Sequence, residues 1–166
     1  MKKILYLFLA LASYGIFAQT TAEEYLNSAV SKFYLDDMKG AIVDYTKAII
    51  IDPSYVEAYR KRGLAKETLK DYSGAIVDYT KAIEIDPNYA FALHDRGITK
   101  GKLKDFSGAI ADYSRAIKID PNYATAYFNR GVSKFYLGDM IGACKDARKA
   151  QALGGDASIL IKKVCN

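Results

Sequence analysis

Apolar residues return every three or four positions along most of this chain, in stretches separated by short polar turns such as Leu69-Lys70-Asp71-Tyr72 and Ile85-Asp86-Pro87-Asn88. That is the periodicity of helices that each bury one face. The stretches themselves recur. Pro53, Pro87 and Pro121, each preceded by Asp, stand 34 residues apart. Gly63, Gly97 and Gly131 keep that step, as do Ala41, Ala75, Ala109 and Ala143, and Ala48, Ala82, Ala116 and Ala150. A fixed period of this length marks a repeat array, whose units bury a continuous core only by stacking. Two antiparallel helices per unit follow, with units at about 22–55, 56–89, 90–123 and 124–157.

Helix starts need a short polar side chain to accept the orphan amides of the first turn. Thr20, Ser54, Asn88, Asn122 and Asp156 recur at the repeat step and are expected to cap the first helices. Thr20 with Glu23, and Ser54 with Glu57, have capping-box spacing. Asp37, Asp71, Asp105 and Asp139 precede the second helices. One first-helix start is left over, which predicts a short capping helix at about 157–165. Glycine inside a helix costs about 1 kcal/mol relative to alanine. Gly63, Gly97 and Gly131 therefore imply close backbone approach, with Ala41, Ala75, Ala109 and Ala143 expected opposite. Tyr45, Tyr79 and Tyr113, with Ile49, Ile83 and Ile117, are expected to fill the space between units.

These mid-helix glycines, alanine pairs, tyrosines and Asp-Pro pairs, with Tyr59 and Tyr127 at an aromatic position, resemble the tetratricopeptide repeat family across nearly all of residues 19–166. The end units depart from its pattern, with Ala29 for glycine, Ala147 for tyrosine and Gly155 for proline. The resemblance implies an all-α, right-handed solenoid of four helix-turn-helix units plus the capping helix. It also implies a protein or peptide partner held in a concave groove lined by the first helices. One stripe of those helices carries Glu57, Arg60, Leu64 and Glu67, then Phe91, His94 and Ile98, then Phe128, Val132 and Phe135. In the first unit the stripe reads Glu23, Leu26, Val30 and Phe33. Such a wall suits a peptide with apolar anchors and a few charges. The clamp for acidic chaperone tails is not carried over, because Val30, Leu64 and Ile98 stand where asparagine would be wanted. Two rival readings are a self-associating structural component and a carrier of small ligands or cell-wall fragments using Phe91, His94 and Phe128.

Charge narrows these choices. The chain carries +5, and its basic residues are interleaved with acids, which argues against nucleic acid. Arg62 and Lys66, Arg96 and Lys100, Arg130 and Lys134 recur on first helices, against Asp44, Asp78, Asp112 and Asp146 on second helices. Opposite signs at one period read as structural pairing between neighbouring helices. His94 is the only histidine, so no histidine metal site or Ser-His-Asp set is supported, and no catalytic constellation, metal site or cofactor is expected. Met1-Lys2-Lys3, an apolar run to Phe17 and small Ala18 read as a signal peptide, residues 1–18. The run is too short to span a bilayer, so no membrane span is expected in the mature chain. The two-lysine start looks bacterial, and the expected location is the periplasm or outside the cell. Cys144 and Cys165 do not have Cys-x-x-Cys spacing. In an oxidising compartment they read as a disulfide pinning the cap, the alternative being two unpaired thiols.

Overall fold

A computed structural model of the chain describes residues 20–165; the segment read as a signal peptide lies outside them. Among the described residues there are helices and turns but no strand. The helices are α1 (Ala22–Tyr34), α2 (Met38–Ile51), α3 (Val56–Thr68), α4 (Tyr72–Ile85), α5 (Ala90–Lys102), α6 (Phe106–Ile119), α7 (Ala124–Tyr136), α8 (Met140–Ala152) and α9 (Ser158–Val164). They pair as α1–α2, α3–α4, α5–α6 and α7–α8, and α9 covers the last pair. This is an all-α solenoid of four helix-turn-helix units with a C-terminal cap.

The second helices start as their sequence dictates. Asp37, Asp71, Asp105 and Asp139 accept the backbone amides of Gly40, Gly74, Gly108 and Gly142 at 2.8–2.9 Å. Those four glycines are a second periodic set with a steric cause, since a Cβ there would fall 2.0–2.2 Å from the capping carboxylate. The first helices start differently from expectation. Thr21, not Thr20, caps α1 and forms the capping box with Glu24. Tyr55, Tyr89 and Tyr123 occupy the cap positions of α3, α5 and α7 without a side-chain cap bond. The reason lies in the Asp-Pro turns. Asp52, Asp86 and Asp120 each accept the amide two residues on, at 2.9 Å. The amides of Ser54, Asn88 and Asn122 are thereby used inside an Asx turn, and the helix begins after them. Asp156 likewise accepts the amide of Ser158, the first residue of α9, at 3.1 Å.

The mid-helix glycines also have a different neighbour from the one expected. A Cβ on Gly63 would lie 2.6 Å from the Tyr79 ring, and one on Gly97 would lie 2.7 Å from the Tyr113 ring. The glycines thus seat the tyrosines, not the alanines. In the last unit Ala147 leaves no ring to seat, and Gly131 lies against the Ala143 carbonyl and the Leu160 side chain of the cap. Burial pushes the phenols of Tyr79 and Tyr113 up, helped by Glu67 beside Tyr79 and by Asp112 near Tyr113.

A buried ionic ladder ties each unit together. Arg62 donates two bonds to Asp78 at 2.6 and 2.9 Å and a third to Thr46 of the preceding unit at 3.0 Å. Lys66 completes the set at 2.8 Å. Arg96 and Lys100 repeat this on Asp112, with Thr80, and Arg130 and Lys134 repeat it on Asp146, with Ser114. The three aspartates are only 1–2% exposed, so the pairs lie inside the stack.

In the first unit Ser28 and Lys32 replace the arginine fork on Asp44, assisted by Lys47. Burial alone would raise the Asp44 carboxyl, but the bonds from Lys32, Ser28 and Lys47 outweigh it and lower the pKa to about 2. A depressed carboxylate contributes stability that is complete above its unfolded pKa of about 3.9 and is lost as pH falls through the folded value. The melting temperature of the wild type is therefore expected to fall more steeply than that of Asp44→Asn as pH is lowered from about 4 to about 2. Parallel thermal melts of the two proteins check this.

Candidate functional site

Curvature places the first helices inside. α1 touches α3, α3 touches α5 and α5 touches α7, whereas successive second helices do not meet. The inner wall is thus built from α1, α3, α5 and α7, and its side chains are the groove residues read from sequence.

The middle of that wall is a polar and aromatic network. Arg60 of α3 donates to Asp95 of α5 at 2.6 Å, and its guanidinium lies 5.3 Å from the centre of the Phe91 ring. Burial would lower the Arg60 pKa, but Asp95 more than offsets this and raises it. His94 is 8% exposed. Its Nε2 meets Asn129 of α7 at 3.0 Å, its Nδ1 lies 3.6 Å from Asp95, and its ring lies 4.9 Å from Tyr123. It belongs to the wall rather than to an open surface. Burial and the nearby Asp95 push the Tyr123 phenol up to about 12. Glu67 accepts from Tyr79 at 3.0 Å and from Thr99 at 2.8 Å, and it pairs with Lys102. Among the described residues no buried side-chain polar atom lacks a partner.

The predicted stripe therefore divides. Arg60, Glu67 and His94 are brought together as links between units, a role in which their polar atoms are already used. Phe91 stays 52% exposed over Arg60, with its ring edge toward Tyr123 at 5.6 Å. Ile98 is half-buried. Phe128, Val132 and Phe135 are half-buried and pack on the apolar cluster beneath the cap, and Lys163 of the cap sits 4.4 Å from the centre of the Phe135 ring. Glu57 is exposed and pairs with Lys61 at 3.4 Å. Cys144 and Cys165 are joined, their Cα atoms 5.1 Å apart.

Asp95, Asn129, Thr99 and Lys102 are the wall residues that sequence reading missed. The signal was present. Arg60–Asp95, Glu67–Lys102 and His94–Asn129 all span 35 residues, one more than the repeat, because a link must step sideways on the next helix. Between α1 and α3 the same offset pairs Leu26 with Lys61 and Phe33 with Thr68, which cannot bond in this way. There the wall opens into a cleft of about 220 Å³ whose lining includes Val30, Phe33, Tyr45, Arg60, Lys61 and Leu64. Val30, Phe33 and Leu64 supply apolar groups to the cleft, while Arg60 and Lys61 at its edge are already paired with Asp95 and Glu57, so what it offers a ligand is a seat for an apolar side chain. Among the described residues no cluster of three or more His, Cys, Asp or Glu is placed to hold a metal.

Stacked helix pairs enclosing an inner wall define a class of protein interaction modules. The chain is a tetratricopeptide repeat protein: residues 56–89 match the model described as tetratricopeptide repeat, and residues 102–138 match the one described as TPR repeat. No curated protein sequence matches the chain. Solved structures do. A crystal structure of MamA is 24% identical, with a TM-score of 0.78, covering 81% of this chain and 79% of that one. MamA from Desulfovibrio magneticus RS-1 is 20% identical, with a TM-score of 0.74, covering 80% and 75%. At those identities the likeness shows the fold. The first TPR of Spaghetti (RPAP3), bound to the HSP90 peptide SRMEEVD, is 25% identical, with a TM-score of 0.70, covering 75% of this chain and 99% of that one. Proteins of this family are generally non-enzymatic interaction modules.

Proposed function

We propose that the protein is an exported interaction module that holds a peptide segment of a partner protein in its concave groove, anchored in the cleft between α1 and α3. The observation that carries this is the gap in the inter-unit links. α3, α5 and α7 are joined by side-chain bonds; where α1 meets α3 no such bond forms among the described residues, and a cleft whose lining includes Val30, Phe33, Tyr45 and Leu64 is left open. The ligand is a peptide with an apolar anchor residue, the exposed Phe91 supplying a second contact farther along. The stack is rigid before binding, so the partner bears most of the ordering cost. The neighbour that holds a peptide supports a segment as ligand. The bonded Cys144–Cys165 pair supports an oxidising compartment.

Peptides selected on the immobilised protein from a random library are expected to share an apolar anchor residue. Leu64→Glu fills the cleft with a charge and is expected to weaken the selected peptides about thirtyfold, the scale of a lost central anchor of roughly 2 kcal/mol. Binding that persists unchanged in Leu64→Glu, with helicity intact, would place the ligand elsewhere and overturn this reading.

A further inference from the structure

The solenoid's outer surface is asymmetric along its length. Lys47, Lys81, Arg115 and Lys149 hold the same register on successive second helices. The first two are paired, with Asp44 and Glu84. The last two are not. Arg115, Lys118, Lys145, Arg148 and Lys149 are all exposed on α6 and α8, and among the described residues none pairs with a carboxylate. Nor does the buried ladder supply a countercharge, since Asp112 and Asp146 each hold two cations of their own. At the near end of α8 the apolar residues Tyr136, Leu137, Met140 and Ile141 are exposed together, from 45% at Met140 to 87% at Ile141. Ile141, Lys145 and Arg148 follow one another on a single stripe of the helix. The carboxylates at that tip, Asp105 and Asp139, cap the amides of Gly108 and Gly142 and keep their charge, but they are outnumbered by the five exposed cations of α6 and α8. The equivalent tip of the first unit exposes Tyr34 and Leu35 with one more carboxylate, Asp36, where the last unit has Gly138. Among the described residues its second helix carries a single exposed cation without an ion pair, Lys39, against Lys145, Arg148 and Lys149 on α8.

An apolar tip continuous with unpaired cations, on a face turned away from the groove, matches the two layers of a lipid surface: acyl boundary and anionic headgroups. We propose that the α7–α8 turn and the outer face of α8 dock the protein on an anionic membrane surface. Ile141 and Leu137 enter the acyl boundary, and Lys145, Arg148 and Lys149 meet headgroup phosphates. The groove then points away from the bilayer, free for its partner.

The test is co-sedimentation of the full chain with phosphatidylglycerol vesicles and with phosphatidylcholine vesicles. Residues 1–18, with Lys2 and Lys3, are present in every arm, so the differences between variants and wild type report on the folded surface. The wild type is expected to prefer phosphatidylglycerol and to be released by added salt. The triple variant Lys145→Ala, Arg148→Ala, Lys149→Ala is expected to bind those vesicles about a hundredfold more weakly, and Ile141→Ser about tenfold more weakly. Tyr34→Ser, at the opposite end, is expected to bind as the wild type does. Equal binding to both vesicle types, or an unchanged triple variant with native helicity, overturns the proposal. Capture by soluble polyphosphate without vesicle binding makes the patch a free polyanion site instead. A concentration-dependent mass increase abolished by Ile141→Ser, without vesicle binding, makes it a contact between copies. Where the triple variant does not fold, the double variant Lys145→Ala, Lys149→Ala makes the same comparison, and unchanged binding by it overturns the proposal.

Discussion

Replacing Asp112 by alanine is expected to destabilise the protein by about 3–5 kcal/mol, the range for removing one partner of a buried ion pair. The carboxylate is 2% exposed and accepts two bonds from Arg96, at 2.6 and 2.9 Å, and one from Lys100 at 2.8 Å. Without it two cations remain inside the third unit, and Arg96 keeps only its bond to Thr80. Urea unfolding followed by circular dichroism measures the loss. An exposed ion pair would cost under about 1 kcal/mol, so a loss that small would contradict the burial of Asp112. The combined change Arg96→Met, Lys100→Met, Asp112→Leu removes both signs at once. It is expected to recover most of the stability, because the penalty comes from unpaired charge rather than from the missing attraction.

The same ladder shows how far the sequence is legible. Its members were visible because each acts at the repeat period, and its sign alternation pointed to pairing. Its burial was not visible, since a charged row at helical spacing looks the same whether solvated or enclosed. The helix starts divide in a similar way. Asp37, Asp71, Asp105 and Asp139 were readable as caps because nothing competes for them. Ser54, Asn88 and Asn122 were misread because the aspartate before each proline takes their amides first. Gly63 and Gly97 were readable as close-contact positions, but the ring that needs the space lies 16 residues on, on the facing helix. Within the groove, a search at the repeat period finds residues in register, whereas the bonds that close the wall run one residue out of register. Arg60 was therefore found and Asp95 was not.

Breaking the link between Cys144 and Cys165 is expected to loosen one end of the stack and leave the other untouched. The bond closes a loop across 21 residues, worth about 3 kcal/mol in the chain-entropy model. α9 has only seven residues and no side-chain cap, too short to persist without its contacts. It holds Leu160 and Val164 against Ala143, Ala147 and Ala150, a surface that the next unit would cover in a longer array. In Cys144→Ser, Cys165→Ser the cap is expected to fray, and amide exchange is expected to quicken in α8 and α9. Exchange in α1 to α4 is expected to stay at the wild-type rate, because a repeat array couples mainly nearest neighbours. Hydrogen exchange resolved by peptide, with and without a reductant on the wild type, separates the missing bond from the serine substitutions. Uniform acceleration along the whole chain would mean that the four units open as one, and that the cap is the keystone of the entire solenoid rather than a lid on its last turn.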